Sequence, residues 1–138
     1  MIFFHGCGVK MTSEEIEKVI EKSQKLLQLK VGWDGEDDSQ PITKFSLDNA
    51  ISFLKKLHAK YPSLEEVSIG PYYDGGVDLH IPKINMLINF APTSELSDNH
   101  FEISLSSDKI GFYGDDISNV DADYVGKFLD CVVLFLKV

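Results

Sequence analysis

At 138 residues, with 43% apolar and 25% charged side chains, the chain is long enough to bury about two-thirds of its unfolded surface in one domain and too apolar to remain disordered. Its net charge of −9 and its lack of any arginine weigh against nucleic acid, nucleotides and anionic membranes as partners, since a negative surface repels them and arginine is the best forked phosphate ligand. Two cysteines near opposite ends, Cys7 and Cys131, make neither a disulfide framework nor a metal site, so a reducing cytoplasm is the expected compartment.

The opening Met1-Ile2-Phe3-Phe4 is apolar but lacks a basic leader and is shorter than a signal-peptide core. Residues 1–11 therefore read as an N-terminal arm, poorly ordered or added as an edge strand, with Met11 a second candidate initiator. Residues 12–138 read as a single α+β domain. Thr12-x-x-Glu15 is a capping-box pattern, and Ile16, Val19, Ile20 and Leu27 follow at helical spacing, which predicts a helix to about Leu29. A turn from Gly32 to Pro41 comes next. Pro41-Ile42-Thr43 then opens a second helix with the stripe Leu47, Ala50, Ile51, Leu54 and Leu57, closed by Tyr61-Pro62.

From Val67 the period changes to two. Val67 and Ile69 give a short strand, Asp74-Gly75-Gly76 a turn, and Val77, Leu79 and Ile81 a second strand, in the manner of a hairpin. Ile84, Met86, Ile88 and Phe90 continue the alternation, as do Phe101, Ile103 and Leu105, and Ile110-Gly111-Phe112 can add one more strand. Asn119 or Asp121 can cap a final helix that is apolar nearly all round its last turns. The expected fold is thus α+β: two N-terminal helices, an antiparallel meander of four or five strands and a C-terminal helix, with the helices packed on one sheet face. That arrangement would send Asp78, His80, His100, Glu102 and Ser104 outward together with Asn85, Leu87 and Asn89.

Charge is unevenly placed. Residues 1–60 carry nine lysines against nine acids, and residues 61–138 carry four against thirteen, so the whole net charge falls in the second half. The acidic run after Trp33 sets Asp34, Glu36 and Asp38 at the first, third and fifth positions of a calcium loop. The match fails at the sixth position, where Ser39 replaces the required glycine, and at the twelfth, where Phe45 replaces the two-oxygen carboxylate. Asp78 with His80, or His100 with Glu102, has the composition of an acid–base pair, but a flat wet sheet face lacks the concavity that tunes catalytic groups. Cys131, among Val132, Val133 and Leu134, reads as a small buried hydrophobe. Asp115-Asp116 reads as an acidic turn. No phosphate-cradling loop, zinc spacing or nucleophile elbow is present, so neither a metal nor a cofactor is expected.

Gly32-Trp33-Asp34-Gly35, Pro41, the helix after it, and Asp74-Gly75-Gly76 leading into an alternating strand together resemble a family of uncharacterised small bacterial and phage-borne proteins with a GWDG…P…helix…DGG layout. The likeness spans about Leu26 to Phe112 and implies a shared fold with no stated activity. Asp37-Asp38-Ser39 stands where that family usually has small apolar residues, and His80 where it has an acidic or aromatic one.

These residues lead to the expectation of a non-catalytic acidic interaction module, an inhibitor of the antitoxin, immunity or anti-defence type, that engages a basic protein surface through Asp78, His80, His100, Glu102, Asp115 and Asp116. The turn residues Gly32, Trp33, Asp34, Gly35, Pro41, Asp74, Gly75 and Gly76 are expected to be structural. Two alternatives stand beside this: a homodimeric scaffold joined through Phe128, Val132, Phe135 and Leu136, and a small metal-dependent hydrolase built on Asp78, His80, His100 and Glu102.

Overall fold

A computed structural model of the chain describes residues 9–92, 101–107, 112–113, 117–120 and 122–137, with 101–125 described by backbone only. The N-terminal arm up to Gly8, His100, Asp115, Asp116 and Asp121 lie outside the described residues.

Helix α1 spans Ser13–Ser23 and carries the full capping box: the Glu15 N–H donates to the Thr12 hydroxyl, and the Thr12 N–H donates to the Glu15 carboxylate. It stops being α-helical earlier than its pattern suggests. At Ser23 the hydroxyl turns back to donate to the Ile20 carbonyl at 2.6 Å, and Gln24–Gln28 tighten into a 3-10 segment. Helix α2, Lys44–Lys60, is capped by the Thr43 hydroxyl and ends at Tyr61, ahead of Pro62.

The strands are β1 (Ser68–Pro71), β2 (Val77–Ile81), β3 (Met86–Phe90), β4 (Phe101–Ser107), β5 (Phe112–Tyr113) and β6 (Ile117–Val120), followed by helix α3, Ala122–Lys137. All pairings are antiparallel in the order β1-β2-β3-β4-β5, and β6 also pairs with β4. Among the described residues the sheet thus has six strands where four or five were expected. The sixth arises because β4 is long: β5 meets Ser106 and Ser107, while β6 meets Phe101 and Ile103. Asn119, one of the two candidate caps of the last helix, lies inside β6. Ile84 does not continue the strand pattern either. Pro82 opens a short 3-10 turn through Ile84, and Asn85 takes the left-handed conformation at φ 47° before β3 begins.

Residues of β2 and β3 alternate as strands facing a core on one side. Val77, Leu79, Ile81, Met86, Ile88 and Phe90 are buried, whereas Asp78, His80 and Asn89 are half-buried and Leu87 is exposed. Phe53 of α2 joins the layers, with its ring centroid 5.7 Å from that of Phe90 on β3 and 5.7 Å from that of Phe128 on α3. Helix α3 is tied to the end of α2 by Lys60–Asp130 at 2.6 Å in its middle and by the Tyr61 hydroxyl donating to the Leu136 carbonyl at its far end.

Phe128, Val132 and Leu136, named above for a homodimer, are all buried in the chain's own core, and Phe135 is half-buried against it. Cys131 is exposed rather than buried: the core side of α3 is taken by Phe128, Leu129, Val132, Val133 and Leu136, which leaves Cys131 and Leu134 on the opposite side. Among the described residues no helix is long and apolar enough to cross a membrane.

Candidate interaction surfaces

The two glycine turns that stand far apart in sequence are docked backbone to backbone. Asp34 opens the first by accepting the Glu36 N–H at 2.9 Å, and Gly32 and Gly35 adopt φ of 80° and 88°, a region open to glycine at little cost. Hydrogen bonding, foremost from Ser39 and then from the Glu36 N–H, holds the Asp34 carboxyl below its ordinary value. Ser39 is fully buried, its hydroxyl donating to the Glu36 carbonyl and its own carbonyl accepting the Gly32 N–H. The residue that spoils the calcium spacing is thus the one that closes the turn.

Gln40 is the hub between the turns. Its N–H donates to the Tyr73 carbonyl at 2.7 Å, its carbonyl accepts the Trp33 indole N–H at 2.7 Å, and its side chain donates to the Asp38 carbonyl. Next along, the Thr43 N–H and the Ser46 hydroxyl both donate to the Gly75 carbonyl. Space here is tight enough to require glycine: a Cβ on Gly75, at φ 96°, would sit 2.8 Å from the Pro41 carbonyl oxygen, and one on Gly76 would sit 2.4 Å from that of Phe90. Gly32, Trp33, Asp34, Gly35, Pro41, Asp74, Gly75 and Gly76, expected as two separate turns, therefore come together in one assembled corner. Asp74 completes it by accepting the Gly76 N–H at 2.8 Å.

The outer rim of that corner carries a pair that the sequence reading passed over. Tyr72 and Tyr73 are 38% and 51% exposed, with ring centroids 4.8 Å apart. Around them lie Asp74 and, across Gln40, the acidic turn from Asp34 to Asp38. A Tyr-Tyr-Asp sequence immediately before the two glycines was the available signal.

The second surface is the sheet face opposite the core. Rows run Ser68–His80–Leu87–Ser106 and Gly70–Asp78–Asn89–Ser104 across β1 to β4. Asp78 is not an idle surface acid: the Asn89 amide donates to it at 3.0 Å, and burial pushes its carboxyl above the ordinary value against the opposing pull of that bond. His80 lies two residues along the same strand face. Glu102 is in β4 where the register to β6 shifts between Phe101 and Ile103, a bulge that sets two residues of β6 against one. The structure thus gathers Asp78, His80 and Asn89. It does not bring the other four expected partner-binding residues into a described cluster, since Glu102 is described by backbone alone and His100, Asp115 and Asp116 lie outside the described residues. Among the described residues no three histidine, cysteine or carboxylate side chains converge as a metal site. Compared with known proteins, the chain matches no family model, no curated protein and no solved structure.

Proposed function

We propose that the chain is a non-catalytic cytoplasmic interaction module whose acidic second half engages a basic protein surface, as an inhibitor of the antitoxin, immunity or anti-defence type would. We infer with it that the helices occupy one face of the sheet, so that the face bearing Asp78, His80 and Leu87 and the adjoining corner stay available to a partner. The observation that carries the reading is the exposed Tyr72–Tyr73 pair set beside Asp74, in a half of the chain that holds the entire net charge of −9. Exposed tyrosines supply rigid contact area at interfaces and present π faces to lysine or arginine, and a surrounding excess of carboxylates steers such partners in. The buried cost of Asp78 fits the same reading, because a carboxylate held partly desolvated gains most from a cation that arrives.

The test uses partners recovered from the source cell on the full chain. Their association rate should fall roughly tenfold between about 50 and 500 mM salt, and reversing Asp78, Glu102, Asp115 and Asp116 to lysine should weaken binding further. Replacing Tyr72 and Tyr73 by serine should speed dissociation instead. Association indifferent to both salt and charge reversal would remove the electrostatic reading.

A further inference from the structure

The molecule is acidic as a whole, yet one groove in it is basic and apolar. It lies between the α1 to 3-10 segment and β1, has a volume of about 370 Å³, and is lined by Val19, Lys22, Ser23, Lys25, Leu26, Val67, Ser68 and Ile69. That volume falls at the small end of sites that hold ligands. Three features of its walls restrict what can enter.

The first is the strand. β1 ends the sheet order and, among the described residues, pairs only with β2, so its outer edge, beside the groove lined by Ser68 and Ile69, has no ladder partner. Natural edge strands are commonly blunted, because an open edge invites another chain to pair. Here the only such device within the strand is Pro71, which lacks an N–H and so ends a ladder after Gly70. The second feature is apolar. Val19, Leu26 and Ile69 are only partly buried, and they pack against the core while leaving surface toward the groove. The third is charge. Lys22 and Lys25 are exposed on the helical wall, and neither has an ion-pair partner among the described residues, whereas Lys18 pairs with Glu14 and Glu65 is drawn away to Lys83 at 3.5 Å. The Ser23 hydroxyl is spoken for by the Ile20 carbonyl, which leaves Ser68 on the strand side as the other hydroxyl of the lining.

We infer that this groove is a docking site for an extended, acidic peptide segment that adds to the edge of β1, places apolar side chains among Val19, Leu26 and Ile69, and sets carboxylates against Lys22 and Lys25. An extended segment fits because main-chain bonds to an open edge supply affinity while alternate side chains enter the adjoining pocket. A helix would leave those edge groups unpaired. An acidic segment fits because two unneutralised lysines flank the pocket, and at physiological salt the screening length of about 8 Å hides the more distant acids of the chain from it. The groove adjoins the sheet face proposed above at Ser68, but its lysines and apolar wall belong to the helical side, so Lys22 and Lys25 can be changed without touching Asp78, Tyr72 or Tyr73.

The probe is a blocked octapeptide of alternating glutamate and valine, compared with its lysine–valine counterpart on the full chain. The glutamate peptide should shift the amide resonances of Ser68, Ile69 and Gly70 and the methyl resonances of Val19 and Leu26, and the lysine peptide should not. The double variant Lys22→Glu/Lys25→Glu should weaken the glutamate peptide at least tenfold and transfer the preference to the lysine peptide, a swap that mere unfolding cannot produce. Replacing alternate peptide residues by proline should abolish the amide shifts. Equal binding of the two peptides, or shifts confined to other residues, would overturn the proposal. So would a response that appears only in a Phe3→Ser/Phe4→Ser variant, which would assign the groove to residues 1–8 of the chain itself. A concentration-dependent dimer mass lost in the lysine-reversed variant would assign it to a second copy and overturn it equally.

Discussion

At the scale of single residues the corner separates glycines that are merely permitted from glycines that are required. Gly35 and Gly75 both have positive φ, which costs another residue about 1–2 kcal/mol on backbone grounds alone. Nothing lies within 4 Å of a Cβ on Gly35, whereas one on Gly75 would meet the Pro41 carbonyl at 2.8 Å. Gly35→Ala should therefore cost about 1–2 kcal/mol and Gly75→Ala about 3 kcal/mol or more, read as shifts in denaturant midpoint at constant slope. Equal costs would mean the two turns part easily. Asp78 gives a prediction with a sign. Burial raises its carboxyl above the value it has in the unfolded chain, so the folded state holds that proton more tightly. The resulting contribution is fully present below the unfolded carboxylate range and is lost as pH rises through the raised folded value. Asp78→Asn keeps an acceptor for the Asn89 amide and removes the ionised form, so it should stabilise the protein at pH 7, with the gain fading as pH falls through the carboxylate range. A variant that is no more stable than the parent at pH 7 would show that solvent reaches the carboxylate freely.

At the scale of elements, α3 divides into a core side and a free side that composition alone does not reveal. Phe128 is 7% exposed and packs on Phe53, while Leu134 is 62% exposed. Phe128→Ala should cost about 3–5 kcal/mol by leaving a cavity between α2 and α3, and Leu134→Ala should stay within about 0.5 kcal/mol. A large loss at Leu134 measured at high protein concentration, absent on dilution, would reveal self-association through that side. The contrast also marks what was legible in the sequence. The Thr12-x-x-Glu15 spacing signalled a capping box, and the box is present, because a cap is a local bond between near neighbours. Helix α3 is harder to read: when nearly every position is apolar, periodicity no longer tells inside from outside, so the pattern does not reveal that Cys131 faces outward while Val132 enters the core. The β6 strand was missed for a related reason. Ile117-Ser-Asn-Val120 is too short for alternation to show, and only its pairing with β4 across a bulge defines it. Site geometry fared likewise: the glycines of both turns stand out locally, but Gln40, which bonds Trp33 and Asp38 in one turn and Tyr73 in the other, carries no sequence signal.

At the scale of the molecule, the corner connects the two halves that charge separates. The turn ending at Pro41 belongs to the half with balanced charge, and the Asp74 turn belongs to the half that carries −9. They are held by the Gln40 amide and, from the start of α2, by the Thr43 amide and the Ser46 hydroxyl, both of which donate to the Gly75 carbonyl. On the other side of the core, Phe53 in mid-helix contacts Phe90 and Phe128, and Lys60 and Tyr61 hold α3. Helix α2 thus links turn corner, sheet and last helix, and opening any one of them exposes apolar side chains of the others. Such coupling predicts one cooperative transition. Trp33 is the chain's sole tryptophan and lies in the corner, so its fluorescence reports that site, whereas far-ultraviolet circular dichroism reports all the helices and strands. The two denaturation curves should coincide, and Gly75→Ala should shift both by the same amount. An earlier fluorescence transition would mean that the corner opens as a unit of lower stability, with Tyr72 and Tyr73 rearranging before the core melts. A partner that binds there would then stabilise the corner more than the fold, and its addition should bring the separated curves together.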